Sequence, residues 1–116
     1  MISTHVLDTA RGRPAAGVPV VLERVAERVE AAGAAVVISR GVTDADGRVR
    51  ELVPPGAGIG AGRYRLTFDT GAYFEASGVE GFYPLVSILF VVRDATQHHH
   101  VPLILGPYGY STYRGS

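Results

Sequence analysis

The sequence predicts an all-β sandwich of about seven or eight short strands, on three observations. Helical signals are few, short β-branched or alternating runs recur along the chain, and turn residues separate one run from the next. The 116 residues, 47% of them hydrophobic, suffice for one core, and no tandem repeat, linker or low-complexity tract divides them. Residues 1–116 are therefore expected to form a single domain.

The elements follow in chain order. Near the N-terminus, His5 shares a strand face with Ser3 and Leu7. Residues 18–23 and 35–39 are β-branched runs, and residues 27–33 between them suit a loop or one helical turn. Asp44-Ala45-Asp46-Gly47 is a turn sequence in which Gly47 supplies a positive φ. Residues 56–62 contain glycine at 56, 58, 60 and 62 and suit a flexible connection. Tyr64, Leu66 and Phe68 alternate with charged or polar residues over positions 63–69, the period of a half-buried strand. Residues 73–77, flanked by Gly71 and Gly78, form a candidate short helix. Residues 85–92 are nearly all apolar, which predicts a central strand.

The next strand, residues 98–105, separates two faces. Val101, Leu103 and Leu105 share one, and His98, His100, Pro102 and Ile104 share the other. If the first face packs in the core, His100 projects from an outer, half-apolar surface, which suggests that another subunit covers it. Gly106-Pro107 then turns the chain into the tail, residues 108–116. Its Tyr, Ser, Thr and Gly, with one Arg, compose an adaptable binding surface.

Composition excludes several classes of chemistry. With no Cys there is no disulfide, thiolate metal site or Cys nucleophile. All eleven basic residues are Arg, so Schiff-base chemistry at Lys is absent, and eleven acidic residues balance them. That balance argues against nucleic acid or an anionic membrane as the main partner. The longest apolar run is far short of the ~20 residues of a membrane span. Residues 1–8 carry no basic or long apolar leader signal, so cytoplasmic residence is the expectation.

Motif searching alone yields little. His98 and His100 suit two ligands on one strand face, but no carboxylate or third His lies at a supporting spacing, and no metal site is expected. A lone His5 and the Arg48 and Arg50 pair have ordinary surface roles by default. No phosphate loop, Gly-x-Ser-x-Gly elbow or His-Glu-x-x-His is present. On these grounds the chain is a soluble β-sandwich without an assigned activity.

Longer motifs change that. Ser3-Thr4-His5-Val6-Leu7-Asp8, followed by Gly12-Arg13-Pro14-Ala15-Ala16-Gly17-Val18, resembles the opening of the transthyretin-like family. Residues 43–48, Thr-Asp-Ala-Asp-Gly-Arg, are similar to its first internal motif. His100-Val101-Pro102-Leu103 and the closing Tyr110-Ser111-Thr112-Tyr113-Arg114-Gly115-Ser116 resemble the enzymatic branch, the 5-hydroxyisourate hydrolases. The terminal Tyr113-Arg114-Gly115-Ser116 is that branch's diagnostic tetrapeptide, and the resemblance runs from residue 3 to residue 116.

The resemblance implies a transthyretin-like two-sheet β-sandwich of about eight strands with one short helix near residues 71–78. It implies a homotetramer, a dimer of dimers, with active sites in the channel between dimers. The implied reaction opens the six-membered ring of 5-hydroxyisourate at a cyclic amide, giving 2-oxo-4-hydroxy-4-carboxy-5-ureidoimidazoline on the way from urate to allantoin. The implied catalytic residues are His5, Arg48, His100 and Ser116, with His5, Arg48 and Tyr113 contacting substrate and no metal or organic cofactor. Two imidazoles near neutral pKa suit water activation and proton return, with His100 as the activating group and His5 assisting. Arg48, always protonated, suits the anion. Arg114 is expected to fix the tail by pairing with a carboxylate. His99 stands where this family commonly has an aromatic residue; it should point away from His100 and do no more than tune it. The competing possibilities are a transthyretin-type carrier of a small aromatic ligand, which would need aliphatic residues at these positions, and an adhesion-type sandwich with no convergent polar site.

Overall fold

Alternating burial builds two sheets around one apolar layer in the computed structural model, which describes residues 1–26 and 35–116. The strands are β1 (Ile2–Asp8), β2 (Arg13–Pro14), β3 (Pro19–Val25), β4 (Val36–Val42), β5 (Arg48–Val49), β6 (Gly62–Phe68), β7 (Val86–Val92), β8 (His99–Gly106) and β9 (Gly109–Thr112). A single helix among the described residues, α1 (Thr70–Ala76), follows β6. One sheet runs β2-β1-β8-β9 with β5 also on β1, and the other runs β4-β3-β6-β7. This is the expected two-sheet sandwich with one short helix. Two of its strands are only two residues long, which is why the sequence showed fewer. Residues 27–33, expected as a loop or helical turn, lie outside the described residues.

Inward side chains from both sheets meet between them. Val6 and Leu103 from one sheet and Leu22, Tyr64, Leu66 and Phe68 from the other are each 0% exposed. Truncating any such Leu to Ala costs about 2–5 kcal/mol. Helix α1 is too short to stand alone. Asp69 caps it by accepting from the Ala72 amide at 3.0 Å, and Tyr73 and Phe74 bury its inner face. Tyr73 then donates its hydroxyl to buried Asp8 on β1 at 2.7 Å, tying the helix to the first sheet. No helix among the described residues is long and apolar enough to cross a membrane.

Two expectations require correction. The apolar run at 85–92 is not central: β7 pairs only with β6 and forms the edge of its sheet. Val86, Ile88 and Val92 enter the core, whereas Leu89 and Val91 are 50% and 46% exposed. The run is continuous because its outer face is apolar too, and none of the described residues covers that face fully. Conversely, Pro102 on the outer face of β8 is buried by the chain's own tail. Gly115 returns to bridge His100 and packs close to Pro102, so another subunit is not needed to cover that position.

Candidate active site

The site begins with a turn. Asp44 accepts from the amides of Asp46 (2.9 Å) and Arg48 (3.0 Å), and its backbone exchanges two further bonds with Gly47 and Arg48. The Arg48 amide is the main reason its carboxyl is held below the usual carboxylate range. Gly47 has φ +74°, and a Cβ there would come within 2.5 Å of the Val6 carbonyl. Only glycine lets the turn lie this close to β1. The Gly47 carbonyl takes the Val6 amide at 2.7 Å, which docks β5 so that Arg48 pairs with His5.

Strand β8 runs parallel to β1 on its other edge, placing Ser3 opposite His100 and His5 opposite Pro102. Because Ile2, Thr4, Val6 and Asp8 point inward, Ser3 and His5 share the outer face with His100. His5 and His100 are therefore diagonal neighbours, and Arg48 flanks His5 from the far side. Ser3, Thr4, Arg48, Arg50, His98 and His100 line a hollow of about 200 Å³. The Arg48 guanidinium has no hydrogen-bonding or ion-pair partner among the described residues, leaving its planar fork free for an anion. Arg50 leans on Asp46 at 3.4 Å, a contact between two exposed groups that contributes little.

The His100 ring is held on two sides. Its Nδ1 lies 2.8 Å from the Ser3 hydroxyl, which also lies 2.7 Å from Nε2 of His98. Gly115 donates its amide to the His100 carbonyl at 2.8 Å and covers the Cδ2 edge. Burial, followed by the positive charges of Arg48, His5 and His98, pushes the His100 pKa below its ordinary 6.5. The shift favours the uncharged ring, the form that can accept a proton.

The tail residues are distributed differently from one another. Ser116 follows Gly115, the residue that bridges His100, and is exposed; it does not line the hollow. Tyr113 is 59% exposed and lines a neighbouring hollow of about 290 Å³ with His99, His100 and Arg114, on the side of β7. Arg114 does hold the tail, but through the amide oxygen of Gln97 at 3.1 Å and not through a carboxylate. Gln97 is the polar group within reach at the start of β8. His99 does point away from His100. It is 4% exposed, its Nδ1 has no partner, and burial, then Arg114, lowers its pKa. Among the described residues, no group of three or more His, Asp or Glu is placed to hold a metal ion.

Sequence reasoning put His98 and His100 on one face but missed Ser3 as the partner they share. Ser3 was visible on the face of His5, but the parallel register joining it to the histidines 95 and 97 positions away was not.

The HIUase/Transthyretin family pattern matches residues 2–115. The chain belongs to that family. Among its members, 5-hydroxyisourate hydrolase 2 of Rhizobium meliloti (strain 1021) is 48% identical over 120 residues, covering 99% of this chain and 95% of the relative. The structure of Klebsiella pneumoniae 5-hydroxyisourate hydrolase superposes with a TM-score of 0.82 at 39% identity, covering 99% of this chain and 92% of that one. Sea bream transthyretin, solved in complex with thyroxine, gives a TM-score of 0.86 at 28% identity, over 98% and 93% of the two chains. Backbone likeness thus does not separate the two branches of the HIUase/Transthyretin family, whereas sequence identity leans to the hydrolases.

Proposed function

We propose that this protein hydrolyses 5-hydroxyisourate to 2-oxo-4-hydroxy-4-carboxy-5-ureidoimidazoline. The observation that carries this reading is the convergence of Arg48, His5 and His100 on one outer sheet face, in a chain closely similar to 5-hydroxyisourate hydrolases. His100, in its favoured uncharged form, takes a proton from water as the oxygen attacks a ring carbonyl carbon. The new C–O bond puts negative charge on the carbonyl oxygen, and Arg48 stabilises that charge. As the intermediate collapses, the ring C–N bond breaks and the departing nitrogen takes a proton back, with His5 assisting. The opened ring leaves as a carboxylic acid. Tyr113 contacts the substrate and Ser116 borders the reacting centre. No metal or organic cofactor enters these steps.

In this reading residues 1–116 form one cytoplasmic hydrolase domain that acts as a homotetramer, a dimer of dimers. The open rim of the site and the bare apolar edge at Leu89 and Val91 support assembly. A carrier of the transthyretin type is less supported, because a cationic, hydrogen-bonding lining fits an anionic heterocycle better than an apolar ligand.

The test generates 5-hydroxyisourate in situ from urate and follows its ultraviolet decay with and without the protein. Acceleration is expected, and decay at the spontaneous rate would dismiss the enzymatic reading. Light scattering should give a tetramer; an active monomer would contradict a shared site.

A further inference from the structure

Ser3 is 6% exposed, yet its hydroxyl lies between two histidine rings, 2.7 Å from His98 Nε2 and 2.8 Å from His100 Nδ1. A serine hydroxyl has one proton to donate and lone pairs to accept with. It cannot donate to both rings, so at least one ring must donate to it. If Ser3 donates to His100, neutral His100 carries its own proton on Nε2. If Ser3 donates to His98, it accepts from His100 Nδ1–H and leaves Nε2 bare.

The surroundings select between these arrangements. With Nδ1 against Ser3 and the Cδ2 edge against Gly115, Nε2 is left at the outer corner of the ring. The hollow it meets is bordered by Arg48 and Arg50. His5 on β1, His98 and His99 around the start of β8, and Tyr113 and Arg114 in the tail are the other titratable or charged groups nearby among the described residues. A lone pair facing these cations is favoured and an N–H dipole is not. His98 is exposed, so water satisfies its Nδ1 in either tautomer.

We propose that Ser3 is a positioning residue that sets the tautomer of His100. It accepts from His100 Nδ1–H, donates to His98 Nε2, and so presents the His100 Nε2 lone pair to the hollow. When Nε2 takes a proton, Nδ1–H stays on Ser3 and that bond becomes charge-assisted and stronger. The kinetic consequence rests on the proposed hydrolysis; the tautomer does not.

Nitrogen-15 long-range correlation spectra of the full chain, at a pH where the ring is neutral, read the tautomer directly. The Nδ1–H form is expected for His100 in the wild type and in Ser3→Thr, and the Nε2–H form gains in Ser3→Ala. In turnover, Ser3→Ala should lower kcat roughly 10- to 100-fold, with KM little changed. Ser3→Thr should restore it. Adding His98→Ala to Ser3→Ala should cost nothing further. A wild-type His100 protonated on Nε2, wild-type kcat in Ser3→Ala, or additive losses in the double variant would each overturn the proposal. Should Ser3→Ala fail to fold, the wild-type spectrum and the threonine variant still decide. A wild type that binds its protons as stated but leaves 5-hydroxyisourate untouched would sink the substrate reading alone.

Discussion

Gly115→Ala tests whether the tail shapes the site or merely ends the chain. A Cβ at position 115 would lie 2.5 Å from His100 Cδ2, 3.2 Å from its Cγ and 3.3 Å from Pro102 Cγ. Carbon atoms rest at about 3.5–4.0 Å, so the closest contact must open by about 1 Å. Gly115 does not have a positive φ, so alanine meets no backbone penalty and the strain is purely one of contact. Either the ring tilts off Ser3, or the tail lifts, breaking the 2.8 Å bond to the His100 carbonyl and carrying Ser116 away. A displacement of this size at a reacting group costs about 100-fold in turnover. Stability should change by about 1 kcal/mol, because at most one hydrogen bond of an exposed segment is lost.

Saturating turnover and urea melts, measured side by side, separate the two effects. Gly109→Ala is the control, since nothing lies within 4 Å of a Cβ there, and it should behave as wild type. In a His100→Ala background, Gly115→Ala should cause no further loss. Wild-type turnover in Gly115→Ala would refute the packing of the tail on the His100 ring as a determinant of rate.

Arg48→Ala should lower kcat about 100- to 1000-fold by removing a donor to the developing anion. It should also move the rising limb of the pH–rate profile to higher pH, because the guanidinium helps to hold His100 below 6.5; an unmoved limb would place the two groups apart. Tyr73→Phe deprives Asp8, 2% exposed, of its 2.7 Å partner and should destabilise by about 1–3 kcal/mol in urea melts with turnover kept. His99 has a folded pKa below its ordinary 6.5, so the unfolded chain binds its proton first and stability falls as pH drops below about 6.5. Thermal melts of His99→Phe should show a smaller acid-side decline than wild type, and an identical decline would assign that loss elsewhere.

What the sequence reveals is what repeats with a short period. Alternation at Tyr64, Leu66 and Phe68 states which face is buried, and the same parity places Ser3 and His5 outward on β1 and His100 outward on β8. The Asp44–Gly47 turn is legible because its hydrogen bonds close within five residues. Beyond that range, parity is silent on neighbours. An apolar stretch such as 85–92 has the same pattern whether its second face meets a helix, another chain or water, and so its place at the sheet edge was hidden. The partner of Arg114 was hidden for a related reason: an amide at position 97 competes with a carboxylate on geometry, which spacing does not encode.

The site is an outcome of register, and the core enforces that register. Thr4 donates its hydroxyl to the Val101 carbonyl at 2.7 Å in the interior, and Val6 and Leu103, both 0% exposed, face each other one step along. Sliding β8 by one residue would turn His100 inward and expose Leu103, at a cost of several kcal/mol for the buried row. Sliding it by two would preserve every face yet bring His100 opposite His5 and His98 opposite Ser3, parting Ser3 from the His100 ring. The Thr4 hydroxyl bonds one specific carbonyl of β8, so it resists the second slip as the apolar pattern cannot, while the Val6 amide on the Gly47 carbonyl fixes Arg48 beside His5. The three proposed catalytic side chains thus owe their faces to hydrophobic alternation and their mutual spacing to a few buried polar bonds. Selection for the reaction would act on both.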